Sequence, residues 1–357
     1  MKNNPHVYFT KTLLHWNAHS NHRAMPWKGE KDPYKIWLSE IILQQTRVEQ
    51  GRAYYERFIS QYPDIKKLAG AKDEEVFKLW EGLGYYNRCK HLLHTARLIA
   101  LERSGKFPDS YSEIIPLKGI GPYTAAAICS FAFNQPYPVV DGNVFRVLSR
   151  YFGIEIPMDS NSGKKYFTGL AETLIDKSSP AKYNQAIMDF GATVCKPSNP
   201  LCAACQLQTQ CRAYAKGLVN HLPVKEKTIT KKIRHITWLM IHCADEILIS
   251  KRNGKDIWEN LYEFYFIEKE EKFDWNEASI QEFCKNVFGM LPQKIIRGYT
   301  AEQQLTHQKI KAEIIELYFH TVPKTLSELI KVEENKIQNF AFPKILADYL
   351  KQRPAKK

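Results

Sequence analysis

The chain has 357 residues, 44% hydrophobic and 12% aromatic, enough for two domains each with its own core. A formal net charge of +13 favours a polyanionic partner. No stretch is long and apolar enough to span a bilayer, and MKNNPHVYFTKTLLHW lacks the apolar core and cleavage site of a signal peptide, so an intracellular place is expected.

In chain order, residues 7–20 predict an amphipathic helix and 21–32 a loop containing Trp27 and Lys28. Residues 33–47 predict a helix with an apolar stripe through Ile36, Trp37 and Ile41. Glu40 adjoins that stripe, which suits a helix-surface residue or a desolvated acid with a raised pKa, and the pattern by itself favours the surface. Leu79–Arg88 (LWEGLGYYNR) reads as a helix ended by glycine, with aromatics for a core or for stacking on bases. Leu117–Ala125 (LKGIGPYTA) reads as a tight turn between helices. There Gly119 and Gly121 supply backbone freedom, and Pro122 opens a helix whose N–H groups form a phosphate seat. About twenty residues later Val139-Val140-Asp141-Gly142-Asn143 places an acid before a helix over 144–151, as an N-cap would stand.

Four of the eight cysteines, Cys195, Cys202, Cys205 and Cys211, cluster with C-x6-C-x2-C-x5-C spacing. Only one C-x2-C pair is present, where zinc sites usually have two, and a cubic iron–sulfur cluster fits better. Cys89, Cys129, Cys243 and Cys284 are expected to be buried small hydrophobes. Residues 216–234 read as a basic linker. Residues 1–220 and the linker carry the positive surplus, whereas 236–357 are balanced. Residues 235–250 alternate like a strand and 277–288 like a helix, giving an α+β module.

These motifs together resemble the helix-hairpin-helix DNA glycosylase superfamily, and Leu-Ser-Glu-x-x-Leu-Gln-Gln-Thr at 38–46 resembles its MutY-type adenine DNA glycosylases. The cysteine spacing matches the [4Fe–4S] loop of the endonuclease III and MutY branch. Arg252-x-Gly-x-x-x-Trp-x-x-x-x-Glu263-Phe264 resembles Nudix domains, without the Glu-rich helix that would hold magnesium, so no nucleotide hydrolysis is expected. The resemblance implies a multi-domain protein: an all-α helix-hairpin-helix glycosylase domain over 1–215 with the [4Fe–4S] loop at 195–211, a basic linker over 216–234, and an α+β Nudix-like domain over 235–357.

It further implies a monofunctional enzyme that flips out and removes adenine opposite 8-oxoguanine or guanine in double-stranded DNA, acting as a monomer in the cytoplasm at the nucleoid. Glu40 would protonate the base at N7, and Asp141 would stabilise the sugar cation. Tyr123 and Asn143 would orient water and carboxylates. Trp27, Lys28 and Gln185 would line the adenine pocket. Gln45 and Tyr85 would fill the vacated stack, and Gly119 and Gly121 would grip phosphate. Thr306 and His307 would read the damaged base, in a loop where Leu305 replaces the family's aromatic. A bifunctional glycosylase/lyase would need an amine where Tyr123 stands, and a damage-binding protein without catalysis would lack Glu40 or Asp141.

Overall fold

The computed structural model describes residues 4–226 and 231–353. The chain divides into two compact units, residues 1–70 with 91–228, and residues 71–90 with 229–357.

The helices, in chain order, are α1 (Pro5–His19), α2 (Pro33–Leu43), α3 (Val48–Gln61), α4 (Ile65–Ala69), α5 (Asp73–Trp80), α6 (Asn87–Glu102), α7 (Tyr111–Ile114), α8 (Pro122–Phe133), α9 (Gly142–Phe152), α10 (Asn161–Leu174), α11 (Pro180–Thr193), α12 (Arg212–Ala215), α13 (Glu277–Phe283) and α14 (Lys344–Gln352). Asn4, Asp32, Asp64, Asp141 and Ser160 cap five of them with side-chain oxygens on N–H groups that have no partner inside the helix.

In the first unit, one core gathers Phe9, Leu13 and Trp16 of α1 with Val147 and Leu148 of α9, Phe167 of α10, and Tyr183, Ile187 and Phe190 of α11. α2 packs on α3 and α8, and is buried along its whole middle from Ile36 to Ile42. That explains why its polar residues are not where a one-sided stripe puts them: a helix surrounded by neighbours has no solvent face. The chain after α12 stays attached to this unit as far as Glu226. Arg150 Nε donates to Leu222 O at 3.0 Å, Met158 N to Val224 O at 3.0 Å, and Glu226 N to Asp159 Oδ1 at 2.9 Å. Residues 227–230 of the expected linker lie outside the described residues.

The second unit is built on a mixed sheet of β1 (Lys232–Cys243), β2 (Glu246–Lys251), β3 (Tyr262–Glu263), β4 (Tyr265–Lys269), β5 (Lys294–Gln304), β6 (Gln308–Phe319) and β7 (Ile330–Glu333). The order is β3-β2-β1-β6-β5, with β4 pairing β1 and β7 pairing β2. β1 runs parallel to β6 from Lys232 opposite Gln308 to Cys243 opposite Phe319. The expected single strand over 235–250 is therefore a hairpin that turns at Ala244, whose φ is 54°. Helix α13 continues through one π-helical turn to Phe288 and covers Leu239, Ile241, Ile315 and Leu317. The segment 71–90 belongs here. Lys78 Nζ donates to Phe340 O at 2.9 Å, and Glu81 accepts from Phe342 N at 2.9 Å. All four isolated cysteines are buried, as expected of small hydrophobes.

At Gly191 of α11 a Cβ would lie 2.7 Å from Asn143 Cβ and 2.9 Å from Asn143 O. Gly191→Ala should force α9 away from α11 and lower stability by about 1–3 kcal/mol. An unchanged urea midpoint would show that α9 moves aside without cost.

Candidate active site

A cleft of about 770 Å³ in the first unit is lined by residues from the loop 21–32, α2, the start of α8, the start of α9, and α11. It brings together Trp27, Lys28, Glu40, Gln45, Tyr123, Asp141, Asn143 and Gln185, which are far apart in the chain.

Glu40 sits in the buried middle of α2 with only 7% of its surface exposed, so the surface reading of the stripe is wrong. Burial raises its pKa to about 7, against a lowering hydrogen bond from Tyr123 and with the charge of Asp141 adding to the rise. Tyr123, in the first turn of α8, is held protonated far above its ordinary range by burial and by the two carboxylates. Asp141 is the N-cap of α9. Its Oδ1 accepts from the N–H groups of Asn143 and Val144 at 2.8 Å each, and its Oδ2 accepts from Asn143 Nδ2 at 2.7 Å. Burial raises its pKa, while these bonds and Arg146 pull it down. Two carboxylates thus share one cleft in unlike settings. Asp141 has donors that offset the rise which burial causes, and its charge helps keep the proton on Glu40.

Arg146, which the sequence reading did not single out, organises the far side of this cap. Its Nη2 donates to Asn143 Oδ1 and to Gly191 O at 2.7 Å each, and its Nε to Cys195 O at 2.7 Å. No local signal marks it, because two of these three partners lie in and after α11.

In the turn after α7, Gly119 has φ 80°, and a Cβ there would lie 2.8 Å from His91 Cβ, so a glycine is required. Gly121 caps α8 with φ −101° and has open space where a Cβ would go, so here glycine clears an approach to the helix N-terminus. Gln45 is exposed with φ 56°. In the second unit Tyr85 is 44% exposed with φ 50°. Both stand in the left-handed region that non-glycine residues occupy mainly under outside constraint. Thr306 and His307 form the tip of the β5–β6 hairpin, and the Thr306 hydroxyl is hydrogen-bonded to that of Tyr85. Of the Nudix-like signature, Arg252 pairs with Glu263 and lies 5.6 Å from the Trp258 ring centroid. Arg234, counted in the basic linker, pairs with Asp256 and Glu268. These charges are spent inside the unit.

Cys195, directly after α11, and Cys202, Cys205 and Cys211 line one small pocket beside Arg150, whose Nη1 lies 3.5 Å from Cys195 Sγ. Among the described residues no group of three or more His, Cys, Asp or Glu is spaced to hold a single metal ion. Four thiols lining one pocket are nevertheless a donor set of the kind an iron–sulfur cluster takes. Burial pushes Cys205 to about 11. Metal binding at that sulfur would therefore release its proton.

Residues 38–166 match the HhH-GPD superfamily of base excision DNA repair proteins, and residues 237–352 match the NUDIX domain family. The chain is 38% identical over 297 residues to an adenine DNA glycosylase of Buchnera aphidicola subsp. Baizongia pistaciae, covering 81% of this chain and 83% of that one. It is 35% identical to an adenine DNA glycosylase of Arabidopsis thaliana (90% of this chain, 56% of that) and 40% identical to one of Homo sapiens (57% and 39%). Among solved structures, a thermostable thymine-DNA glycosylase matches with a TM-score of 0.56 at 31% identity, over 60% of this chain and 98% of its own. A trapped endonuclease III–DNA covalent intermediate shares the fold, with a TM-score of 0.52 at 20% identity over 59% and 96%.

The raised pKa of Glu40 carries a stability cost whose sign is fixed. Between its ordinary 4.5 and about 7 the folded chain holds a proton that the unfolded chain has lost, so stability falls as pH rises through this window. The full shift corresponds to about 3 kcal/mol. Glu40→Gln, which cannot ionise, should match the parent's stability near pH 4.5 and exceed it at pH 8. Denaturant unfolding at the two pH values reads this difference, and equal stabilities at pH 8 would show that Glu40 is not desolvated.

Proposed function

The chain belongs to the adenine DNA glycosylases, enzymes of base excision repair, and from that premise we propose that Glu40 and Asp141 divide the chemistry of removing adenine opposite 8-oxoguanine or guanine. The observation that carries this reading is the pair of carboxylates in one cleft, Glu40 buried with a pKa of about 7 and Asp141 half-buried and capping a helix N-terminus.

Inside a duplex the glycosidic bond is out of reach, so the adenine is flipped into the cleft, at a cost of a few kcal/mol. Gln45 and Tyr85, exposed and held in left-handed backbone, fill the vacated stack. Gly119, Gly121 and the first turn of α8 hold a backbone phosphate. Trp27, Lys28 and Gln185 line the base. Glu40 gives its proton to N7, which makes adenine a neutral leaving group. The sugar left behind has oxocarbenium character, and Asp141, ionised by its cap hydrogen bonds, stabilises that charge. Asn143 and Tyr123 hold the carboxylates and the attacking water. Tyr123, standing where a lyase would need an amine, supports hydrolysis without strand cleavage.

Cys195, Cys202, Cys205 and Cys211 would hold a [4Fe–4S] cluster, a group that supplies the loop with a cross-link. Thr306 and His307 supply a hydroxyl and a ring nitrogen for reading the base opposite adenine. The protein acts as a monomer on double-stranded DNA in the cytoplasm, at the nucleoid.

Single-turnover excision from duplexes with adenine opposite 8-oxoguanine, guanine or thymine tests the chemistry. The parent rate should fall as pH rises through about 7, because Glu40 loses its proton there. Tyr123→Phe removes the hydrogen bond that favours the charged form, so this limb should move to higher pH. Glu40→Gln should bind the mispaired duplex and excise orders of magnitude more slowly. Near-normal excision by it would overturn the acid.

The full chain carrying Thr306→Ala and His307→Ala should keep its rate on adenine opposite guanine. Its preference for 8-oxoguanine should fall by roughly 5- to 150-fold, the worth of one good contact to a base edge. An unchanged preference would place recognition elsewhere.

A further inference from the structure

Asp189 of α11 is fully buried and lies behind the wall of the active-site cleft. Four side chains donate to it. Its Oδ1 takes Arg23 Nη1 at 2.9 Å and Gln185 Nε2 at 3.0 Å, and its Oδ2 takes Asn21 Nδ2 at 2.8 Å and Lys28 Nζ at 2.9 Å. Arg23, Lys28 and Gln185 all line the cleft.

The two ends of a glutamine amide are nearly the same in shape, and its partner decides which faces where. A carboxylate flanked by a guanidinium and an ammonium offers acceptors only. Gln185 must therefore turn its NH2 toward Asp189, four residues on along the same helix. Among the described residues this is the one side-chain hydrogen bond Gln185 makes, which leaves its carbonyl oxygen to the cleft. Building on the adenine-excision reading, we propose that Asp189 is a positioning residue that fixes the Gln185 amide with its acceptor toward the base, so that the cleft selects a 6-aminopurine over a 6-oxopurine. An exocyclic amine donates to that oxygen, and a carbonyl at the same place meets it lone pair to lone pair.

Asp189→Asn reverses the instruction. A nitrogen at the Oδ2 position would face Lys28 and also Asn21. The Asn21 amide cannot turn, because its Nδ2 donates to Asn17 Oδ1 at 2.7 Å and its Oδ1 accepts from Arg23 N at 3.1 Å. A nitrogen at the Oδ1 position faces Arg23, whose side chain is 24% exposed and can swing away, and Gln185, whose amide can flip. The flip would then present NH2 to the cleft.

The test compares excision of adenine and hypoxanthine from otherwise identical duplexes, opposite the same base. Both purines keep N7 for the proton from Glu40, so their ratio isolates the 6-position. The parent should prefer adenine, and Asp189→Asn should lower that preference by about tenfold or more. Exchanging the two groups, Asp189→Asn with Gln185→Glu, puts an acceptor back toward the cleft and should restore it. Gln185→Ala leaves the buried carboxylate with both cations and should also lose the preference, which covers the case in which Asp189→Asn does not fold. Parallel loss of both rates in Asp189→Asn at a constant ratio, or a parental ratio in Gln185→Ala, overturns the inference alone. A parent chain that removes neither base overturns the glycosylase reading and this inference with it.

Discussion

The cleft depends on one constraint: a carboxyl group that keeps its proton near neutral pH must be kept from water. Glu40 meets it because α2 is enclosed along its whole middle by α3 and α8. Enclosure makes the charged form costly, and that cost is the source of the raised pKa. The surrounding architecture follows from it. Asp141, half-buried in the same cleft, carries charge at less cost because donors surround it. The N-terminus of α9 and the Asn143 amide supply those donors.

Much of this was legible in the chain because it is local. The N-cap at Asp141, the left-handed turn at Gly119 and the cysteine spacing each depend on residues within a few positions of one another. The placement of Glu40 was not legible. A helical stripe reports which side of a helix is more apolar, and it misleads when the helix is buried all round. Arg146 and Asp189 were missed for a related reason. Most of their partners come from other elements, and no periodicity encodes a buried charge that is matched by distant groups. The hairpin of β1 and β2 was read as one strand because alternation continues across the turn at Ala244. The membership of 71–90 in the second unit depends on contacts of Lys78 and Glu81 with residues some 260 positions later, beyond the reach of local pattern.

In the second unit the residues of the Nudix-like signature are held by one another. Arg252, Trp258 and Glu263 are retained as a motif, yet their charges and ring are satisfied among themselves and by Trp238, whose Nε1 lies 3.4 Å from Glu263. Arg234 is likewise held by two carboxylates. Buried charge of this kind gives specificity of packing more surely than net stability. The hairpin tip at Thr306 and its partner Tyr85, by contrast, are half-exposed and exposed.

Arg146 has a consequence of another sort. A single guanidinium joins the carbonyl of Cys195 to the amide of Asn143, and through it to Asp141. The cysteine loop and the head of α9 thereby share one fastening, and neither can drift, be shortened or be replaced without disturbing the other. Because the bond is taken by the Cys195 carbonyl and not by its thiol, it is the path of the backbone at the head of the cysteine loop, rather than any one sulfur, that is transmitted to Asn143.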